Sequence, residues 1–209
     1  MKKLKKIFSL GLVLIMVLMT ACVNLDVKTA SSDISKLLSE KTTQYFMEDE
    51  VPDDVVENIL KAGVNAESGM NNQNWHFTAV KEKLLLAEWK EKISANMPEA
   101  MKNQKLPKAQ LGDSPLAIIV SCTENEELNA GFATEAMLTY AMLSGYGTKL
   151  VSSPCSMLNE SYKEKLGIPN DMNAVVVLLI GKPLDVSMLD GVTSASVRKS
   201  FDEVATIVK

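Results

Sequence analysis

Apolar residues recur at two spacings along this chain, and the alternation between the two predicts its elements. Ile34, Leu37 and Leu38 mark a short helix after the cap candidate Asp33, and Val55, Val56, Ile59 and Leu60 share one helical face opened by Pro52-Asp53-Asp54. Compact apolar runs predict strands over 75–80, 115–121, 148–152 and 174–180. Between them the pattern returns to helical spacing over 84–97, with Trp89 and Ile93 on one face, and ahead of 165–169. The longest helical pattern, 126–144, carries Ala133, Ala136, Met137, Tyr140 and Ala141 and stops at Gly145; its small and apolar faces suit the centre of the fold. A last helix is predicted over 197–207. Helices interleaved with a mainly antiparallel or mixed sheet make this an α+β fold.

The first residues stand apart from that pattern. Lys2, Lys3, Lys5 and Lys6 precede an apolar run over 7–19 and then Thr20-Ala21-Cys22, the layout of an export signal too short to be a comfortable membrane span. Residues 18–22, Leu-Met-Thr-Ala-Cys, resemble a bacterial lipobox, which implies lipidation of Cys22 and an N-terminus there. Cleaved or kept as an anchor, the segment places the domain outside the cytoplasm, on the outer face of the membrane. The expected organisation is a lipoprotein signal peptide over 1–21, a small polar tether over 22–32 and one domain over 33–209.

Charge and cysteines narrow the class. Removing residues 1–21 takes away four lysines and no acid, leaving 18 basic against 26 acidic residues. An acidic domain without Lys/Arg clusters is a poor nucleic-acid binder, and that class is excluded. With Cys22 lipidated, Cys122 and Cys155 remain, and spacing alone leaves open whether they pair. The acids over 48–54 answer a helix dipole better than a metal, so no metal is expected. His76, the single histidine, and the methionines Met70 and Met157 read as packing or surface residues.

One polar connection carries candidate chemistry. Residues 67–77, Glu-Ser-Gly-Met-Asn-Asn-Gln-Asn-Trp-His-Phe, join a helix to a strand; Ser68 and Gly69 permit close backbone approach, and Asn71 and Gln73 offer donors and acceptors to a heteroaromatic edge. The segment resembles the Pro-Ser-x-x-Asn-x-Gln-Pro-Trp signature of the nitroreductase family of FMN flavoproteins, with Glu67 and Asn74 at the two proline positions. Gly145-Tyr146-Gly147-Thr148, Lys165 to Pro169 and Gly181-Lys182-Pro183 resemble further family motifs in the same order. The resemblance implies a three-layer α/β/α sandwich and a homodimer with two FMN sites at the subunit interface. It places Ser68, Gly69 and Asn71 at the flavin of the partner chain, and Pro154, Cys155 and Ser156 along the ring, with a backbone N–H near Ser156 directed at N5.

The family's opening Arg-x-Ser-x-Arg segment, which holds the phosphate, corresponds here to Glu40-Lys41-Thr42-Thr43-Gln44. Lys41, Thr42 and Gln44 thus take the phosphate positions with fewer cations, so the flavin is either lost or held differently. The C-terminus points to the second. Residues 190–196, Asp-Gly-Val-Thr-Ser-Ala-Ser, resemble the motif at which an extracytoplasmic flavin transferase esterifies FMN phosphate onto the last hydroxyl, here Ser196. Arg198 and Lys199 follow at the family's C-terminal basic positions. A phosphodiester carries about one negative charge where the monoester carries nearly two, so these two cations suffice. The resemblances imply a lipid-anchored FMN oxidoreductase, with or without covalent flavin. It would pass electrons from a membrane donor, rather than from cytoplasmic NAD(P)H, to a quinone, nitro compound or other small acceptor. The alternative is a flavin-free lipoprotein using the same fold as a binding or dimerisation module.

Overall fold

A computed structural model describes residues 34–38, 42–102, 104, 107–190, 192 and 197–208. The signal segment, the tether with Cys22, Lys41 and Ser196 lie outside these. Residues 1–39 and 40–209 form separate units. Of the first, one helical turn over 34–37 is described, with Ile34, Leu37 and Leu38 exposed.

In the second unit the order is α1 (Asp53–Val64), β1 (Trp75–Val80), α2 (Lys83–Ala95), α3 (Glu99–Lys102), β2 (Leu116–Cys122), α4 (Glu127–Leu143), β3 (Gly147–Val151), α5 (Cys155–Ser161), β4 (Asn173–Gly181) and α6 (Phe201–Val204). The four strands pair antiparallel in the order β1-β2-β4-β3, so β1 and β3 are opposite edges. β2 alternates between two cores. Ala117 and Ile119 face Leu85, Leu86 and Trp89 of α2 and Leu158 of α5. Leu116, Ile118 and Val120 face Val56 and Ile59 of α1 and Met137 and Ala141 of α4. With helices burying both faces, every residue of β2 is buried, which is why its sequence reads as an unbroken apolar run. The expected three-layer α+β sandwich is what the chain forms.

Strand starts and helix faces follow the apolar pattern closely, and three differences have local causes. The helix before 165–169 ends at Ser161, because Tyr162 leaves helical geometry at φ −131 to pack its ring edge-on against Trp89; turns carry the chain on to Gly167 at φ +65. The final helix is confined to Phe201–Val204, closed at its start by a reciprocal Ser200–Glu203 capping box. Ala205 is already extended, and the β-branched Thr206, Ile207 and Val208 after it favour that state. The third difference is α4. It buries Ala130, Ala133, Thr134, Met137, Leu138 and Ala141 on one side only, while Leu128, Phe132, Tyr140 and Leu143 on the other are exposed.

Gly112 pins the long segment after α3 onto α2. It has φ +92, and a Cβ there would stand 2.4 Å from the Leu86 carbonyl oxygen and 2.8 Å from the Lys90 nitrogen. Both the backbone angle and the contact exclude a side chain. Gly112→Ala is expected to cost about 3 kcal/mol by strain and overpacking, lowering Tm by roughly 6–12 °C in a chain of this size. A thermal melt indistinguishable from the parent would show that the segment is not held against α2.

Candidate functional site

The register of the sheet decides which candidate residues meet. At one end, Gly147 of β3 pairs with Gly181 of β4, and the segment 42–47 runs alongside. Thr43 N–H donates to the Thr148 carbonyl (2.7 Å), Met47 N–H to the Lys182 carbonyl (2.9 Å), and Leu184 N–H to the Tyr45 carbonyl (3.0 Å). The approach is tight: a Cβ on Gly147 would lie 2.3 Å from Thr43 Oγ1. Between this segment and residues 183–187 opens a cleft of about 290 Å³, lined by Thr42, Thr43, Gln44 and Tyr45 and by Pro183 to Ser187. Gln44 is buried in it, and Thr42 lies at its half-buried rim.

Arg198 reaches this rim from the far end of the sequence. Its Nη2 donates to Thr42 Oγ1 at 2.9 Å, across 156 residues. Two segments that the resemblance assigned to the same phosphate, far apart in sequence, therefore meet at one spot. Lys199 is exposed beside Arg198. Their neighbours Lys41 and Ser196 fall outside the described residues.

Pro154, Cys155 and Ser156 follow β3 at its other end. Pro154 and Cys155 are buried at the start of α5, whereas Ser156 is exposed. As the second residue of α5, Ser156 has an N–H with no carbonyl four residues back inside the helix, so it is a donor for something outside. β3 spans its five residues in about 17 Å and connects the Thr42 cleft to this amide along one sheet edge. Burial pushes the Cys155 thiol up to about 11, and burial followed by Glu127 and Glu126 does the same for Cys122. Both thiols are free, and they lie in different cores on opposite faces of the sheet, so they form no mutual disulfide. Protonated at neutral pH, Cys155 contributes a small apolar wall and no nucleophile.

The third group stands on the opposite edge. Ser68, Gly69 and Asn71 lie in the connection before β1, the strand three spacings, or about 14 Å, from β3. Met70, Asn71 and Gln73 all have positive φ (52, 57 and 51), a conformation that L residues adopt only under local constraint, and Met70 is 92% exposed. Gly69 keeps ordinary φ, and a Cβ on it would find nothing of its own chain nearer than 3.9 Å. Its lack of a side chain thus serves something outside the chain or nothing. The pairing of Trp75 with Cys122 sets this loop beside the start of α4. There Gly69 N–H donates to Asn129 Oδ1 (3.0 Å), Asn129 Nδ2 donates to Glu126, and Asn74 Nδ2 donates to Glu126 Oε1 (3.4 Å). Asn129 and the 183–187 wall were not legible as site residues, since only strand register and long-range packing bring them there. Among the described hydrogen bonds none joins this loop to the Thr42 cleft. Also among the described residues, no group of three His, Cys, Asp or Glu side chains could hold a metal, and no helix is long and apolar enough to cross a membrane.

Comparison with known proteins bears on this arrangement. The model of the Nitroreductase family matches residues 38–182. A protein of Methanothermobacter thermautotrophicus, provisionally named an NADH dehydrogenase/NAD(P)H nitroreductase, is 25% identical over 172 residues, covering 78% of this chain and 84% of its own. A nitroreductase with bound FMN from Bacteroides fragilis superposes with a TM-score of 0.67 at 20% identity, covering 85% of this chain and 98% of that one. A second, from Desulfitobacterium hafniense and also with bound FMN, gives 0.65 at 17% over 85% and 98%. These structures share the fold. Since the family match takes in most of the sequence, from the segment before the cleft to the end of β4, the chain belongs to the nitroreductase family and is an oxidoreductase of that class.

Proposed function

We propose that this chain is an FMN-dependent oxidoreductase, held on the outer face of the cytoplasmic membrane by a lipid on Cys22 and working as a homodimer. The observation that carries the flavin reading is the Arg198–Thr42 bond at the mouth of the Gln44 cleft. The donor set fits a phosphate ester: a guanidinium with five N–H groups, a hydroxyl bonded to it and a primary amide lining the same cleft. Thr42, Gln44 and Arg198, with Lys41 and Lys199 beside them, would hold the phosphate. Pro154, Cys155 and the Ser156 amide would lie along the ring, and Ser68, Gly69 and Asn71 of the second copy would complete the site.

FMN supplies, when bound, a carrier that takes two electrons from a donor and yields them to an acceptor. The chain's own part is to bind and to stabilise charge. The first-turn amide of Ser156 offers a fixed donor to negative charge arising beside α5. Cys155, kept protonated by burial, excludes water without entering the chemistry. No side chain is assigned an acid or base role. Dimerisation is supported by the exposed Leu128, Phe132, Tyr140 and Leu143 along α4, and by the two loop groups on opposite sheet edges, which one copy cannot bring together.

Covalent attachment through a phosphodiester to Ser196 extends this reading. It is supported by the export signal, the scarcity of cations at 40–44 and the arrival of Arg198 at Thr42. Outside the cytoplasm the electron donor is a membrane quinol or another exported flavoprotein, and the acceptor a quinone, nitro compound or similar unsaturated molecule.

The full chain, expressed with its own export machinery, decides among these. Flavin absorbance that survives denaturation, with an FMN mass on the peptide holding Ser196, is the expected result. An unmodified peptide in a yellow protein removes the covalent bond and leaves the enzyme. A colourless protein that takes up no added FMN overturns the flavin reading and leaves the scaffold alternative.

A further inference from the structure

We propose that Asn129, held by Glu126, is a positioning residue that clamps the 67–74 loop in the shape its flavin contacts require; the inference rests on the flavin reading above. The loop has no burial to define it, since residues 69–73 are all exposed. Yet it holds three non-glycine residues at positive φ. Polar contacts must do this instead. Inside the loop, Asn71 N–H donates to the Ser68 carbonyl (3.0 Å), Gln73 N–H to Ser68 Oγ (3.1 Å) and Trp75 N–H to the Gln73 carbonyl (2.9 Å). These bonds close the loop on itself without fixing it to the fold.

The Asn74 end is tied to the fold by Thr123 N–H donating to the Asn74 carbonyl (3.4 Å); the contact that fixes the middle of the loop is the amide of Asn129. Its oxygen accepts from the Gly69 N–H at 3.0 Å, and its nitrogen donates to Glu126. A backbone donor on one side and a carboxylate on the other allow only one orientation of that amide. The other carboxylate oxygen accepts from Asn74 Nδ2 at 3.4 Å. One glutamate therefore holds the loop's end directly and its middle through Asn129. Both clamp residues sit at the start of α4, the helix whose outer side carries the exposed apolar stripe, so the loop and the stripe ride on one rigid element. A second copy docking on the stripe would meet a loop already set.

The test uses the full chain made in a host without a flavin transferase, with FMN affinity read from quenching of flavin fluorescence and loop order from amide exchange over 67–74. Asn129→Ala is expected to raise the FMN Kd about tenfold and to speed loop exchange by a similar factor, the loss of one charge-supported hydrogen bond. Asn129→Asp sets two carboxylates against each other and is expected to do at least as much. The double variant Glu126→Gln/Asn129→Asp reverses donor and acceptor. The introduced aspartate accepts from Gly69 N–H and from the introduced glutamine's amide, while the glutamine oxygen accepts from Asn74, so both readouts should recover. Failure of the double variant to recover, or an unchanged Kd in Asn129→Ala, overturns the clamp. A parent chain that binds no FMN sinks the flavin reading and this inference together, and the parent titration alone reveals that case.

Discussion

Arg198→Gln should weaken FMN uptake by about ten- to a hundredfold, the largest effect expected from a residue at the phosphate cleft. The guanidinium is the one cation that the described structure brings to the Thr42 rim, by a 2.9 Å bond to its hydroxyl. A hydrogen bond to a charged group is worth about 1.5–3 kcal/mol, and each 1.4 kcal/mol is a tenfold change in affinity. Glutamine keeps a donor and removes the charge, so the variant isolates the electrostatic part. Lys199→Gln is the comparison: exposed and one residue further on, it should weaken affinity by about two- to fivefold, less than Arg198→Gln and on the scale of a screened surface charge. Under the proposed attachment to Ser196, the same Arg198→Gln change in exported protein should also lower the fraction of chains carrying covalent flavin, because the phosphate would lose its cation at the Thr42 rim. Equal Kd values for parent and Arg198→Gln would separate the C-terminal segment from the phosphate and leave the cleft without a cation.

How much of this was readable beforehand follows the range of each interaction. β2 and β4 were plain because burial on both faces leaves an unbroken apolar run, and α1 was plain because Val56 and Ile59 recur at helical spacing after two acids that suit a helix N-terminus. Gly145 was a legible stop and does sit at φ +81. α4 was half legible. Its apolar residues run nearly all round, which reads as burial on every side, but this chain alone provides cover for one side only. The left-handed geometry at Met70, Asn71 and Gln73 was not legible, since nothing local asks methionine or glutamine to adopt it. The loop that holds it is braced by Asn129, sixty residues away from Gly69, which reaches it because Trp75 pairs with Cys122. The meeting of Thr42 with Arg198 was legible only through the resemblance, which put both at one phosphate; the 2.9 Å bond between them is a property of the folded chain.

The uncovered side of α4 yields the second large effect. Leu128 and Phe132 are spaced by four, Tyr140 follows two further turns on, and Leu143 closes the stripe; their exposures run from 36% for Tyr140 to 71% for Leu128. An apolar helix face of this extent stays in water only at a cost of about 25 cal/mol per Å² left exposed, and a second copy laid on it in two-fold fashion removes that cost for both chains. Phe132→Glu puts a carboxylate at the middle of the stripe on each copy. Burying an unpaired charge costs several kcal/mol, and a two-fold contact repeats the penalty, so the variant should be monomeric at concentrations where the parent is a dimer, a shift of at least a hundredfold in dimer Kd. Its own fold should be unaffected, because Phe132 is half exposed and outside both cores. Flavin should leave with the partner. Ser68, Gly69 and Asn71 stand on the β1 edge while Thr42 and Ser156 stand along β3, and in the proposed dimer it is the second copy that brings the first group to the flavin of the second. Sedimentation and FMN titration of Phe132→Glu should therefore fail together. A monomer that binds FMN as tightly as the parent would show that one chain completes the site alone, and a variant that remains dimeric would move the interface off α4.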